Sequence, residues 1–152
     1  MTRFDVVVAG AGPAGSRTGA LLAAQGVRVL QLEEHPVAGS PQHCSGLVTQ
    51  RTLDEANVRQ SIVRHRIDGG FIHSKYGADL RLGGERPHAY VIDRPALDRE
   101  LAAEAMSAGV DLRFRHRLEA VERDGGQLQV RIATPAGSET VACDILVGAD
   151  GA

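Results

Sequence analysis

The chain opens on a dense apolar run. Phe4 to Ala9 holds only Asp5 as a polar residue, which predicts a short buried strand. Glycines follow at 10, 12 and 15, and residues 13–25 then carry small and apolar side chains at helical spacing. Gly15 and Gly19 lie one turn apart on one face of that helix, where close packing on a sheet explains them. Gly26 reads as the helix C-cap, and residues 27–32 as a second buried strand. Residues 36–48 are rich in proline and glycine and read as a loop; Thr49 to Ala56 reads as a short helix. The pattern then changes. Ile67, Phe71, Ile72, Leu80 and Leu82 sit in short runs broken by Gly69-Gly70 and Gly77, as antiparallel strands do. Gly83-Gly84 turns the chain into a short strand at Tyr90-Val91-Ile92.

Pro95 opens a strong helix whose stripe is Leu97, Leu101, Ala105 and Ala108, and Gly109 closes it. Val110 to Phe114 returns as a strand. Residues 127–133 alternate cleanly, with Leu128, Val130 and Ile132 on one face. A turn at Thr134-Pro135-Ala136-Gly137 leads to a partner strand at 139–142, and 144–147 is the last strand. This order describes an α/β nucleotide-binding domain of Rossmann type with an antiparallel insertion. The final strand delivers Asp150 beyond its carboxyl end, where ligand sites of open α/β sheets lie. No covering helix follows, so the chain is expected to be incomplete at its C-terminus.

The candidate chemistry sits at the first turn. Gly10-Ala11-Gly12-Pro13-Ala14-Gly15 is a Gly-x-Gly-x-x-Gly loop. Such a loop alone is weak evidence, since 18 of the 152 residues are glycine. Here a strand precedes it, a helix follows, and an acid, Glu33, closes the second strand; together these point to an ADP-containing cofactor. Gly10 allows the tight turn, Gly12 lets backbone approach a pyrophosphate, and Gly15 lets the helix pack close. The helix N-terminus offers free N–H groups and a positive dipole end to the phosphates. Glu33 is placed to accept hydrogen bonds from both ribose hydroxyls. Its charge would repel a 2′-phosphate, which argues against NADP here.

Composition narrows the class. A net charge of −2 gives no sign of nucleic-acid binding. No apolar run approaches the length of a spanning helix, and the first strand begins too early for a signal peptide. Two distant cysteines, Cys44 and Cys143, suggest no disulfide framework, so a reduced cytoplasmic setting is expected, with peripheral membrane association compatible with it. The six histidines show no metal-ligand spacing, and no metal site is expected.

Three blocks make the sequence resemble FAD-dependent oxidoreductases of the geranylgeranyl reductase family, within the larger group that includes p-hydroxybenzoate hydroxylase. The first block is Asp5 to Gly15 with Glu33. The second is Pro41-Gln-His-Cys44-Ser-Gly46-Leu-Val, with Arg51-Thr-Leu-Asp-Glu after it; its Pro-x-x-Cys-x-Gly signature is the more specific. The third is Tyr90-Val-Ile-Asp-Arg94-Pro-Ala-Leu-Asp98 and then Asp144-Ile-Leu-Val-Gly-Ala-Asp150-Gly151. The resemblance covers the whole chain, but the chain covers less than half of a family member. It implies a glutathione-reductase-like FAD-binding domain from residues 1–65 and 93–152, with 66–92 as strands of the substrate domain. It implies FAD contacts at Gly10, Gly12, Pro13, Ala14, Gly15, Glu33, Cys44, Ser45, Gly46, Arg94 and Asp150, and a backbone contact from Leu118 near the adenine. The implied reaction saturates C=C bonds of prenyl chains such as the geranylgeranyl groups of lipids or pigments. The flavin supplies the hard chemistry, and Cys44 is the catalytic candidate. The electron donor stays open, with NADPH and a ferredoxin-like protein as the candidates. An aromatic monooxygenase and an inactive flavin-binding fragment are the alternative readings.

Each of these residues also has a plainer explanation. Glu33 could be a solvated acid at a strand end, and Cys44 a small buried hydrophobe; yet Cys44 lies in a polar loop beside His43, not in an apolar run. Arg94 could be an exposed cap residue, although an arginine at a helix start opposes the dipole and needs a reason such as phosphate. Asp150 could be an ordinary turn acid. Cys143 reads as core, and Asp98 and Arg99 as charges on a helix surface.

Overall fold

The computed structural model describes residues 2–42, 44–58 and 60–151. The chain divides into two compact units, Met1–Pro41 with Asp98–Ala152, and Gln42–Leu97.

The first unit is built on a six-stranded sheet. Its strands are β1 (Arg3–Ala9), β2 (Val29–Glu33), β8 (Asp111–Phe114), β9 (Arg117–Asp124), β10 (Gln127–Thr134) and β11 (Gly137–Gly148), and the order is β8-β2-β1-β11-β10-β9. The pairs β8–β2, β2–β1 and β1–β11 are parallel, while β11–β10 and β10–β9 are antiparallel. Helix α1 (Pro13–Ala23) crosses from β1 to β2. Val7, Leu30, Leu32, Val130, Ile132, Val141 and Cys143 form one buried cluster. Val6, Val8 and Val29 alternate to the other face and pack with Ala20, Ala105 and Val110. The part of the strand that feeds two cores has no polar face, and this is why β1 reads as an unbroken apolar run from Val6 to Ala9.

In the second unit, β3 (Leu47–Val48), β7 (Ala89–Ile92) and β4 (Val63–Ile67) form an antiparallel sheet in the order β3-β7-β4. The strands β5 (Gly69–His73) and β6 (Asp79–Gly83) make a separate hairpin. Helix α2 (Gln50–Ala56) is capped by Thr49, whose side chain accepts the Thr52 N–H at 3.4 Å. Asn57 ends it in the left-handed region. Helix α3 (Arg94–Ser107) begins in this unit and runs into the other.

The architecture is the expected α/β fold, with several local differences. Helix α1 ends at Ala23, and Gly26 turns left-handed three residues later, so Gly26 is not the cap itself. Val27 still bonds back to Leu22, which delays β2 to Val29. The two strands expected at 139–142 and 144–147 are one, β11. Its first part pairs with β10 and its second with β1, and Ala142 and Cys143 pair with both. Asp144 interrupts the apolar pattern but points out to Arg3 at 3.1 Å, leaving the ladder intact. Strand β9 was not expected: its sequence is mostly charged, and pairing with β10 creates it. Leu47–Val48, inside the expected loop, pairs with Tyr90 and Val91.

Candidate functional site

In the first unit the glycine loop is tied down on β2. The N–H of Gly10 donates to the Leu32 carbonyl at 2.7 Å, and the N–H of Ala11 donates to Glu33 Oε2 at 2.9 Å. The Gly10 carbonyl accepts from Gln31 Nε2 at 2.9 Å. Ser16 Oγ accepts a second bond from Gln31 Nε2 at 3.3 Å and donates to the Ala11 carbonyl at 3.2 Å. Gln31 and Ser16 are fully buried.

Each fingerprint glycine has its own reason. Gly10 has φ +103°, and a Cβ there would lie 2.7 Å from the Ala149 carbonyl carbon and 2.9 Å from Asp150 Cα. The close approach brings Asp150 alongside the loop, helped by Ala149 N–H donating to the Ala9 carbonyl at 2.8 Å. A Cβ on Gly15 would overlap the Gly10 carbonyl oxygen and lie 3.3 Å from Gln31 Nε2. On Gly19 it would lie 3.2 Å from Gln31 Oε1 and 3.4 Å from Val110. The helix therefore packs close as expected, but against the loop and a buried amide as much as against the strands. A Cβ on Gly12 would meet nothing within 4 Å. Gly12 is also the N-cap of α1, without a side-chain cap, and Pro13 and Ala14 begin the helix. In that first turn Pro13 has no N–H, and the N–H groups of Ala14 and Gly15 have no intrahelical partners.

Glu33 is held before any ligand contacts it. Its Oε1 accepts the His35 N–H at 2.9 Å and faces His35 Nδ1 at 2.8 Å; its Oε2 takes Ala11 N–H. A carboxylate has about four acceptor sites, so at least one remains for a ribose hydroxyl. The glycine without a neighbour, the uncapped helix start and the oriented acid fit a dinucleotide. Leu118 lies in β9 opposite Ile132, and its side chain packs on the core. Two residues before it, His116 N–H donates to the Glu33 carbonyl at 2.9 Å, so the start of β9 runs beside the acid.

The second unit holds the other expected residues. Gly46 is buried with φ +74°, and its carbonyl accepts the Ile92 N–H at 2.9 Å. That bond hangs the loop on β7. Cys44 and Ser45 are exposed above it. The Gly46 N–H points at Cys44 Sγ at 3.5 Å, and Gln42 Nε2 donates to the Cys44 carbonyl at 2.9 Å. His43 lies outside the described residues. Arg94 starts α3, half-buried. Asp93 before it supplies the favourable charge at the helix start: its Oδ1 accepts Ala96 N–H at 3.0 Å and its Oδ2 pairs with Arg64 at 2.6 Å.

The structure thus gathers Gly10 to Gly15, Glu33, Asp150 and Leu118 in one unit, and Cys44, Ser45, Gly46 and Arg94 in the other. Cys143 is core, as expected; burial pushes its thiol up. Asp98 is not a surface charge: it is only 6% exposed, whereas Arg99 is exposed. Sequence reasoning overlooked Gln31 and Ser16. The signal for Gln31 was available, since it is the lone amide in Val29-Leu-Gln-Leu-Glu33 and shares the parity of Glu33. Among the described residues, no helix is long and apolar enough to cross a membrane.

The FAD binding domain family matches residues 3–152, so the chain belongs to that family and its cofactor is FAD. It is 27% identical to a digeranylgeranylglycerophospholipid reductase of Methanococcus aeolicus, over 99% of this chain and 38% of that one. A geranylgeranyl bacteriochlorophyll reductase-like structure from Thermoplasma acidophilum superposes with a TM-score of 0.89 at 28% identity, covering 99% of this chain and 40% of that one. An anhydrotetracycline hydroxylase from Streptomyces rimosus gives 0.76 at 30% identity, with 99% and 32% covered. The chain therefore spans about two-fifths of the reductase-type relatives and a third of the hydroxylase.

Proposed function

We propose that the chain forms the FAD-holding part of an oxidoreductase that saturates C=C bonds in the prenyl chains of a lipid or pigment. The observation that carries this reading is the Pro41 to Gly46 loop, anchored through Gly46 with Cys44 exposed on it. The names of the reductase relatives support it. In this reading the loop of Gly10, Gly12, Pro13, Ala14 and Gly15 receives the pyrophosphate, with the N–H groups of Gly12, Ala14 and Gly15 as donors, and Glu33 accepts the ribose hydroxyls. Leu118 meets the adenine through its backbone. Asp150 accepts from the ribityl hydroxyls, and Arg94 supplies a cation for phosphate or flavin. Ser45 and Gly46 present backbone to the flavin, and Cys44 stands at its reactive face to donate a proton or shape the alkene pocket. Reduced FAD supplies the hydride. Residues 1–65 and 93–152 hold the cofactor, and 66–92 belong to the substrate domain. The separate β5–β6 hairpin, with Ile72, Leu80 and Leu82 exposed, supports that division. The electron donor, NADPH or a ferredoxin-like protein, and a peripheral contact with a membrane belong to the same proposal.

The hydroxylase of comparable identity supports a second reading, an aromatic monooxygenase. One experiment separates the two. A reductase-length protein containing this chain is loaded with FAD, reduced and given a geranylgeranyl lipid without oxygen, and the product is weighed by mass spectrometry. The reductase reading expects two hydrogens gained per double bond as the flavin reoxidises. An unchanged lipid, together with oxygen insertion into a phenolic substrate in air, would overturn it in favour of the second.

A further inference from the structure

The geometry points to Gln31 as a positioning residue for FAD, a buried amide that sets the phosphate loop from beneath. The inference rests on the FAD site described above. Gln31 occupies the α1-facing side of β2, in line with Val29 and Glu33. The chain leaves β1 at Gly10 with φ +103°, which takes the Gly10 carbonyl out of the strand ladder. A buried carbonyl without a donor is costly. One N–H of Gln31 serves that carbonyl, and the Nε2 also reaches Ser16 Oγ, which passes a bond on to the Ala11 carbonyl. The N–H groups of Gly10 and Ala11 go to Leu32 and Glu33. Residues 31–33 of one strand therefore fix every polar backbone group of Gly10 and Ala11, directly or through Ser16. The next N–H groups, from Gly12 into α1, are the ones left for phosphate.

The other end of the amide shows that packing alone does not explain it. Gln31 Oε1 is buried and has no hydrogen-bond partner among the described residues. It sits where a Cβ on Gly19 would come within 3.2 Å, so the missing side chain at Gly19 makes room for it. A leucine, as at Leu30 and Leu32, would fill a two-sided core strand without an orphan acceptor. What the amide adds is its pair of donors to the loop.

The test compares FAD and ADP affinities with the melting temperature of the apoprotein in Gln31→Leu, Ser16→Ala and Val29→Ala. Val29 shares the strand face but bonds to no loop group, so Val29→Ala lowers the melting temperature and leaves both affinities unchanged. Gln31→Leu weakens FAD and ADP together by about tenfold, and Ser16→Ala by roughly threefold, in keeping with lost hydrogen bonds. ADP carries the pyrophosphate without the flavin, so a shared loss locates the effect at the loop. If Gln31→Leu does not fold, Ser16→Ala decides. FAD affinities within about twofold of wild type in every folded variant at 31 and 16 would overturn the inference, as would an equal loss in Val29→Ala. A Gly12→Val arm separates the two levels. If that variant loses FAD while Gln31→Leu keeps it, only this inference fails; if Gly12→Val also keeps FAD, the reading of the site fails.

Discussion

Gly12→Val separates cofactor binding from folding more cleanly than any other single change here. Gly12 has φ −71° and ψ −177°, a conformation open to any residue, and an added Cβ meets no protein atom within 4 Å. Losing glycine favours the folded chain by about 0.4–1 kcal/mol through the unfolded state. Valine is a poor N-cap, which costs about the same or somewhat more in return. The apoprotein should therefore melt within a few degrees of wild type. The cofactor meets a different situation, because the new side chain occupies the ground in front of the uncapped helix start. Displacing a pyrophosphate from two charge-assisted N–H contacts, at roughly 1.5–3 kcal/mol each, amounts to about 3–6 kcal/mol. That is at least a hundredfold in affinity, on the order of 1.4 kcal/mol per factor of ten. Calorimetric titration with FAD, run beside thermal melting of the apoprotein, measures both quantities. An unchanged dissociation constant in a folded Gly12→Val protein would sink the assignment of the loop.

Gly15→Ala should behave in the opposite way: its Cβ overlaps the Gly10 carbonyl, so the apoprotein itself loses about 1–3 kcal/mol in denaturant titration. Glu33→Gln keeps an acceptor for Ala11 but removes the charge, and FAD should bind about tenfold more weakly at low salt. In a reductase-length protein containing this chain, Cys44→Ser should leave the FAD dissociation constant unchanged while slowing single-turnover oxidation of the reduced flavin by a prenyl substrate; equal turnover would make the cysteine structural. Cys143 carries a pH signature. Burial raises its thiol above the ordinary 9.0, so as pH rises through 9 the unfolded chain loses a proton that the folded chain keeps. Stability should then fall with rising pH above that point, and Cys143→Ala should remove that part of the slope.

Much of the site was legible because local chemistry dictates it. A turn out of a buried strand into a helix needs glycine at 10 and 15, and Glu33 closes the second strand at a fixed distance in sequence, so a linear pattern carries the information. The buried strands of the parallel sheet were equally visible, since two-sided burial leaves an unbroken apolar run at Val6 to Ala9. Where burial is one-sided or contacts are distant, the sequence said less. The charged strand β9 exists through its ladder with β10, and β11 is continuous because two different neighbours pair with its halves. Asp98 looked like a surface charge because its neighbours on the helix are charged, yet tertiary packing buries it. Gln31 is the sharpest case. By itself it is one polar residue in an apolar strand, and only the fold brings its amide to the Gly10 carbonyl, the Ser16 hydroxyl and the space left by Gly19. A sequence records which backbone conformations and apolar faces are available; which buried donor meets which buried acceptor is decided when distant segments pack.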